Sequence, residues 1–212
     1  MKTTLKTLTL VAAACGALAS LSACAPLVVG GAMVGGALVA TDRRTTGTQV
    51  EDKGIELKAA TRIREAMGSR TRINVQSHNR VLLISGEVRD DADKAEAERI
   101  ASQVENVQRV VNEIQVGFLA SITQRSNDLV LAGKVKATLI DARDLQSNAF
   151  NVVVERGEVY LMGIVTEREA NRATELVRGI PGVAKVVRVM EVISEQELAR
   201  RVPARPEPAK AM

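Results

Sequence analysis

The sequence predicts an α+β fold made of two αββαβ units, each a three-stranded sheet with two helices on one face. Three observations lead there. The run Val81-Leu82-Leu83-Ile84-Ser85-Gly86-Glu87-Val88, followed by Arg89-Asp90-Asp91-Ala92, returns later as Gly157-Glu158-Val159-Tyr160-Leu161-Met162-Gly163-Ile164-Val165, followed by Thr166-Glu167-Arg168-Glu169-Ala170. The two glycines and the valines two places on share one offset (163 − 86 = 77), as expected of one folding unit used twice. Each run is also preceded by a helix-period segment and followed by a second helix and an alternating strand.

In the first unit, residues 48–117, helical spacing over Ile55 to Met67 sets Ala59/Ala60, Ile63 and Ala66/Met67 on one stripe, and Gly68 and Ser69 end it. Two strands, Ile73 to Ser77 and Val81 to Val88, meet at a tight turn over His78-Asn79 or Asn79-Arg80. Asp90 or Asp91 caps the next helix, which buries Ala97, Ile100, Ala101 and Val104. Val107 to Val116 alternates and forms the last strand. In the second unit, residues 124–194, a helix runs from about Asp128 to Ile140 and a loop from Asp141 to Ala149. Strands Phe150 to Glu155 and Glu158 to Val165 turn at Arg156-Gly157. A helix from Glu167 buries Ala170, Ala173 and Val177, with Glu167 and Glu169 as first-turn acids that suit the helix dipole. Pro181-Gly182 breaks the chain before a strand over Val183 to Ile193. Aligning the first helices on Ile63 and Val135 gives a smaller offset (135 − 63 = 72), so the second unit is expected to carry a helix-to-strand loop five residues longer. Amphipathic helices bury their stripes against a sheet, and units this small gain from packing on one another.

Residues 1–23 read as a secretory leader: Lys2 and Lys6, then an apolar run to Leu21. Leu21-Ser22-Ala23-Cys24 resembles the bacterial lipobox, which makes Cys24 the expected lipidation site; ordinary cleavage near Ala23 is the other reading. Cys15 lacks the large aliphatic residue three places upstream. Removal of Cys15 and acylation of Cys24 would leave no thiol for a disulfide or a metal. Residues 24–47 form a Gly-rich anchor and a polar linker. The apolar stretch 27–40 is shorter than the roughly 20 residues a bilayer span needs. Ala25 after the cysteine suggests an outer-membrane address rather than retention at the inner membrane. Residues 195–212, with Pro203, Pro206 and Pro208, read as a disordered tail.

Composition narrows the function. Phe118, Phe150 and Tyr160 are the whole aromatic set, which disfavours base-stacking platforms for single-stranded nucleic acid. The net charge of +4 is mild and spread along the chain. His78 is the single histidine, placed in a turn and expected to be exposed. Gly133-Lys134-Val135 lacks the upstream glycine and the hydroxyl residue of a phosphate-binding loop. With no nucleophile–base pair and no metal set, neither an enzyme nor a cofactor is expected.

The element order resembles the BON domain: αββαβ, a glycine in the second strand matched by Gly86 and Gly163, and a Gly-Val before the last strand matched by Gly182-Val183. Asn106-Val107 departs from that pattern by lacking the glycine. With the lipobox, the 157–170 stretch and the Thr41-Asp42-Arg43-Arg44 and Gly47-Thr48-Gln49-Val50 segments, the chain resembles dual-BON outer-membrane lipoproteins of Gram-negative bacteria over nearly all but its tail. The resemblance implies non-enzymatic periplasmic domains, binding of anionic, phosphatidylglycerol-like phospholipid through the second domain, and a role in outer-membrane integrity near the division site. The rival expectation is an adaptor that docks an envelope protein.

A difference between the two first helices bears on this. With Leu131, Val135 and Leu139 buried, Leu129, Val130, Lys134, Lys136 and Ala137 fall at or beyond the flanks of the stripe. That face is apolar and cationic, whereas the first unit carries Glu56, Lys58, Arg62, Arg64 and Glu65. The alternative is that Leu129 and Val130 pack on the sheet or the other domain. The resemblance would put an aromatic near Val130, and none is there, so shallow insertion is expected.

Overall fold

A computed structural model describes residues 42–68 and 71–201. The leader, Cys24, Ala25, the 27–40 stretch and the three tail prolines lie outside those residues. The first unit comprises α1 (Thr46–Met67), β1 (Arg72–His78), β2 (Val81–Val88), α2 (Asp91–Ser102) and β3 (Arg109–Val116). The second comprises α3 (Ile122–Asp141), a short 3₁₀ turn (Ser147–Ala149), β4 (Phe150–Glu155), β5 (Glu158–Thr166), α4 (Glu167–Arg178) and β6 (Lys185–Ile193), followed by α5 (Glu195–Arg201). Both sheets place the middle strand of their unit at the centre, antiparallel to the strand before it and parallel to the strand after it.

The α+β architecture matches the sequence reading, and the central glycines have a steric cause. A Cβ on Gly86 would stand 2.0 Å from the Arg72 carbonyl oxygen, and one on Gly163 would stand 2.1 Å from that of Ala149. The neighbouring strand therefore closes on the central one only where no side chain is present. Asn106 explains the departure at the last strand. Its φ of 69° is left-handed, like the 103° of Gly182, and asparagine tolerates that region better than most residues.

Each unit has its own core. Ile55, Ala59, Ile63 and Met67 of α1 and Ala97, Ile100 and Ala101 of α2 cover Leu82, Ile84 and Val88. Leu131, Val135 and Leu139 of α3 and Ala170, Ala173 and Val177 of α4 cover Val159, Leu161 and Val165. The opposite faces of the two sheets meet through Leu83, Tyr160, Met162 and Val189, so nearly every residue of β2 and β5 is buried. At the margin of this contact, Arg72 donates to Glu155 at 2.6 Å and to Glu87 at 3.0 Å, and Asn74 donates to Glu155. Burial pushes the Glu155 carboxyl up, and the pull of Arg72 does not fully offset it.

Several expectations are corrected. Helix α1 starts at Thr46 rather than near Ile55, because Thr45 caps it by accepting from Thr48 N at 3.1 Å. Helix α3 starts at Ile122, six positions before Asp128, with a capping box in which Ser121 and Gln124 satisfy each other's backbone N–H. Polar first turns carry no buried stripe, so periodicity alone placed both starts too late. His78 is not an exposed turn residue: it closes β1 and is 7% exposed. The turn is Asn79-Arg80, both with positive φ, as a two-residue hairpin requires. Residues 195–201 of the expected disordered tail are helical, with Ser194 Oγ accepting from Glu197 N and Arg201 paired to Glu197.

The helix alignment also changes. Asp52 accepts from the backbone N–H of Asn79 and Arg80, and Asp128 accepts from those of Arg156 and Gly157, all at 2.8–2.9 Å. Each first helix thus clasps the hairpin turn of its own unit, and the equivalent carboxylates give an offset of 128 − 52 = 76. The second unit therefore has a loop one residue longer, not five. Burial alone would raise the Asp52 carboxyl, but the donors Arg80 N, Ser77 and Arg44 outweigh it and hold it below its ordinary value.

The polar segment read as a linker is pinned at both ends of its basic pair. Arg44 donates to Asp52 at 2.7 Å in the first unit. Arg43 reaches the second, donating to both carboxylate oxygens of Glu169 at 2.7 Å and to the Ile164 carbonyl at 2.8 Å. Glu169 is therefore more than a dipole partner: it closes the capping box of α4 with Thr166 and holds Arg43.

Candidate functional site

Helix α3 buries Asp128, Leu131, Val135 and Leu139. At about 100° per residue, that stripe leaves Ile122, Leu129, Val130, Gly133, Ala137 and Ile140 on the opposite side. All six are exposed, Leu129 at 76% and Val130 at 59%. The reading in which Leu129 and Val130 pack on the sheet or the other domain does not hold. Lys134 and Lys136 are also exposed and lie on opposite flanks of this apolar ridge, about 200° apart around the axis. The structure therefore brings Leu129, Val130, Lys134, Lys136 and Ala137 onto one solvent-facing side, with a cation on each edge.

Sequence reasoning missed part of this surface. Phe118 and Leu119, in the segment leading into α3, are 94% and 52% exposed. The Phe118 carbonyl accepts from Arg156 Nη1 at 3.3 Å, which sets this segment beside the hairpin turn clasped by Asp128. An aromatic side chain is thus present at this end of the helix, although not within it. The available signal was that Phe118 is one of only two phenylalanines and sits outside every predicted element. Arg125 and Arg156 extend the cationic margin.

The two first helices differ most in how their charges are used. On α1, Lys53 pairs with Glu56 at 2.6 Å, while Lys58 and Arg62 share Glu105 at 2.8 and 3.3 Å. Among the described residues, no ion pair involves Arg125, Lys134, Lys136 or Arg156. With the offset of 76, Lys53 and Gly54 stand where the second unit has Leu129 and Val130. Glu56, Arg62, Arg64 and Glu65 stand one turn out of step with that offset, and the contrast between the two helices rests instead on the ion pairs of Lys53 and Lys58.

Gly182 lies in the turn before β6, where its φ of 103° favours glycine. Among the described residues, no group of three or more His, Cys, Asp or Glu side chains is placed to hold a metal ion. No helix among them is long and apolar enough to cross a membrane.

The paired αββαβ units agree with a comparison against known families. The BON-domain family model matches residues 56–117 and again residues 127–194. The chain belongs to the BON-domain family. Its first BON domain carries the ion-paired α1 and its second the unpaired α3. Among curated relatives, the outer membrane lipoprotein DolP of Haemophilus influenzae is 36% identical over 180 residues, covering 84% of this chain and 93% of the relative. A 21 kDa hemolysin of Actinobacillus pleuropneumoniae is 29% identical over 154 residues, covering 72% of this chain and 79% of the relative. An uncharacterised protein of Anaplasma centrale is 31% identical over 113 residues, covering 52% and 74%.

Proposed function

We propose that this dual-BON protein is an outer-membrane-anchored lipoprotein, acylated at Cys24 and facing the periplasm, that binds anionic phospholipid through the outward face of α3. In that role it maintains envelope integrity, with the division site as its expected place of action. The observation that carries the reading is the exposed apolar ridge of α3, flanked by lysines that no acid among the described residues neutralises, beside an α1 whose lysines are ion-paired. A helix of this kind lies in the interfacial plane. Apolar groups enter the acyl boundary, and each cation adds roughly 1 kcal/mol near an anionic surface. The long alignment with the outer membrane lipoprotein of Haemophilus influenzae supports the outer-membrane and lipoprotein parts.

The test is vesicle co-sedimentation of the chain from residue 25 onward, which lacks the acylated cysteine and keeps every described residue. The reading expects binding to phosphatidylglycerol-containing vesicles that weakens as salt rises, and little binding to neutral phosphatidylcholine. Equal binding to both compositions, or to neither, would contradict it and favour the adaptor reading.

A further inference from the structure

One wall of α3 borders an open groove of about 630 Å³, whose lining includes Gln124, Asn127, Val130, Lys134, Arg156 and Gly182. The groove holds two cations without acid partners among the described residues, and the one carboxylate in its lining, Asp128, is already occupied by the N–H groups of Arg156 and Gly157. Val130 stands at its edge, between the groove and the exposed ridge.

The first domain supplies an internal control. Lys58 corresponds to Lys134, and Asn79 to Arg156. There Lys58 is neutralised by Glu105, the residue just before the positive-φ Asn106. In the second domain the equivalent residue before the positive-φ Gly182 is Pro181, another lining residue of the groove. One change, acid to proline, thus leaves Lys134 unpaired, and a second, asparagine to arginine, adds a cation opposite it.

We propose that this groove seats the phosphodiester of a single anionic phospholipid, with Lys134 and Arg156 as counter-charges, Gln124 and Asn127 as polar lining, and the acyl chains running out over Val130. Arg156 offers a planar pair of N–H donors suited to phosphate oxygens, which a lone lysine does not. The inference rests on the lipid-binding reading and deepens it. Binding is then selective for the headgroup and not only for surface charge.

The experiment compares vesicles brought to the same surface potential with either phosphatidylglycerol or a carboxylate-headed amphiphile, using the chain from residue 25 onward. Wild type is expected to prefer the phosphodiester vesicles by about fivefold, the effect of roughly one well-placed cation. Arg156→Asn, which suits the turn's positive φ, and Pro181→Glu, which restores the acid of the first domain, are expected to bring that ratio to near one. Lys136→Gln, on the far flank, is expected to weaken both compositions alike and keep the ratio. A wild-type ratio near one with strong binding to both anionic vesicles would overturn the groove and leave the lipid reading intact. The same holds if Arg156→Asn and Lys136→Gln act identically. Failure to prefer any anionic vesicle over a neutral one would overturn both. Soluble glycerophosphoglycerol, which has no acyl chains, is expected to leave the protein on the vesicles. Complete displacement would assign the groove to a free phosphodiester instead.

Discussion

Arg43 and Glu169 face each other across 126 residues of chain, with both guanidinium Nη atoms 2.7 Å from the carboxylate oxygens and the two side chains only 3% and 4% exposed. The pair fastens the segment before α1, which belongs to the first domain, onto the helix cap of the second. Together with the Arg44–Asp52 contact, it turns what reads as a linker into a brace between the domains.

Breaking that pair from one side leaves a buried charge alone. Arg43→Ala is expected to lower unfolding stability by about 3 kcal/mol, and Arg43→Met combined with Glu169→Leu to cost distinctly less per site removed. Urea unfolding of the single and double variants checks this. A single variant within a few tenths of wild type would mean that the brace contributes nothing.

Acid should act through the same contacts. Glu169 would be raised by burial, but the bonds from Arg43 and Thr166 N outweigh it and hold its carboxyl below the ordinary 4.5. Asp52 is likewise held below its ordinary 3.8. A depressed carboxyl contributes stability that is fully present above the ordinary value and is lost as pH falls through the lowered one. Stability is therefore expected to fall steeply below about pH 4, and Glu169→Gln to flatten part of that fall. Glu155, raised by burial, has the opposite sign and its contribution is lost as pH rises through its raised value. Urea midpoints measured across this range give the slopes directly.

Three glycines separate sterics from helix propensity. Gly163→Ala is expected to cost well over about 1 kcal/mol, because its Cβ would overlap the Ala149 carbonyl. Gly86→Ala should behave alike against Arg72. Gly133→Ala meets nothing within 4 Å on α3 and should stabilise by ~0.8 kcal/mol. Thermal melts of the three variants check the order.

These comparisons show which features a sequence carries openly. The strands, the central glycines and the buried stripe of α3 were legible because period-2 and helical spacing reflect local geometry that repeats in both units. Arg43 was not, because its partner is 126 residues away and nothing local distinguishes it from a solvated linker arginine. The exposed face at Leu129, Val130, Lys134, Lys136 and Ala137 was legible from the helical wheel. Arg156 was hidden, since it joins Lys134 only when the hairpin turn folds back onto α3. The early starts of α1 and α3 were missed because Thr45 and Ser121 act through side-chain caps, which leave no apolar pattern.

Phe118 should affect membrane binding and not folding. Its side chain is almost fully exposed, so Phe118→Ser is expected to change stability by less than about 0.5 kcal/mol. Affinity for phosphatidylglycerol vesicles should fall severalfold as its contribution to apolar insertion is lost. Unchanged affinity would remove the segment before α3 from the membrane-facing surface.

Helix α3, and not α1, is expected to meet the membrane. The most direct measurement is paramagnetic broadening of backbone amide signals by a nitroxide-labelled lipid in phosphatidylglycerol bicelles. Broadening is expected to peak at Phe118, Ile122, Leu129, Val130 and Ala137 and to leave Lys53, Leu57 and Thr61 of α1 sharp. Equal broadening on both helices, or a maximum on α1, would contradict the account.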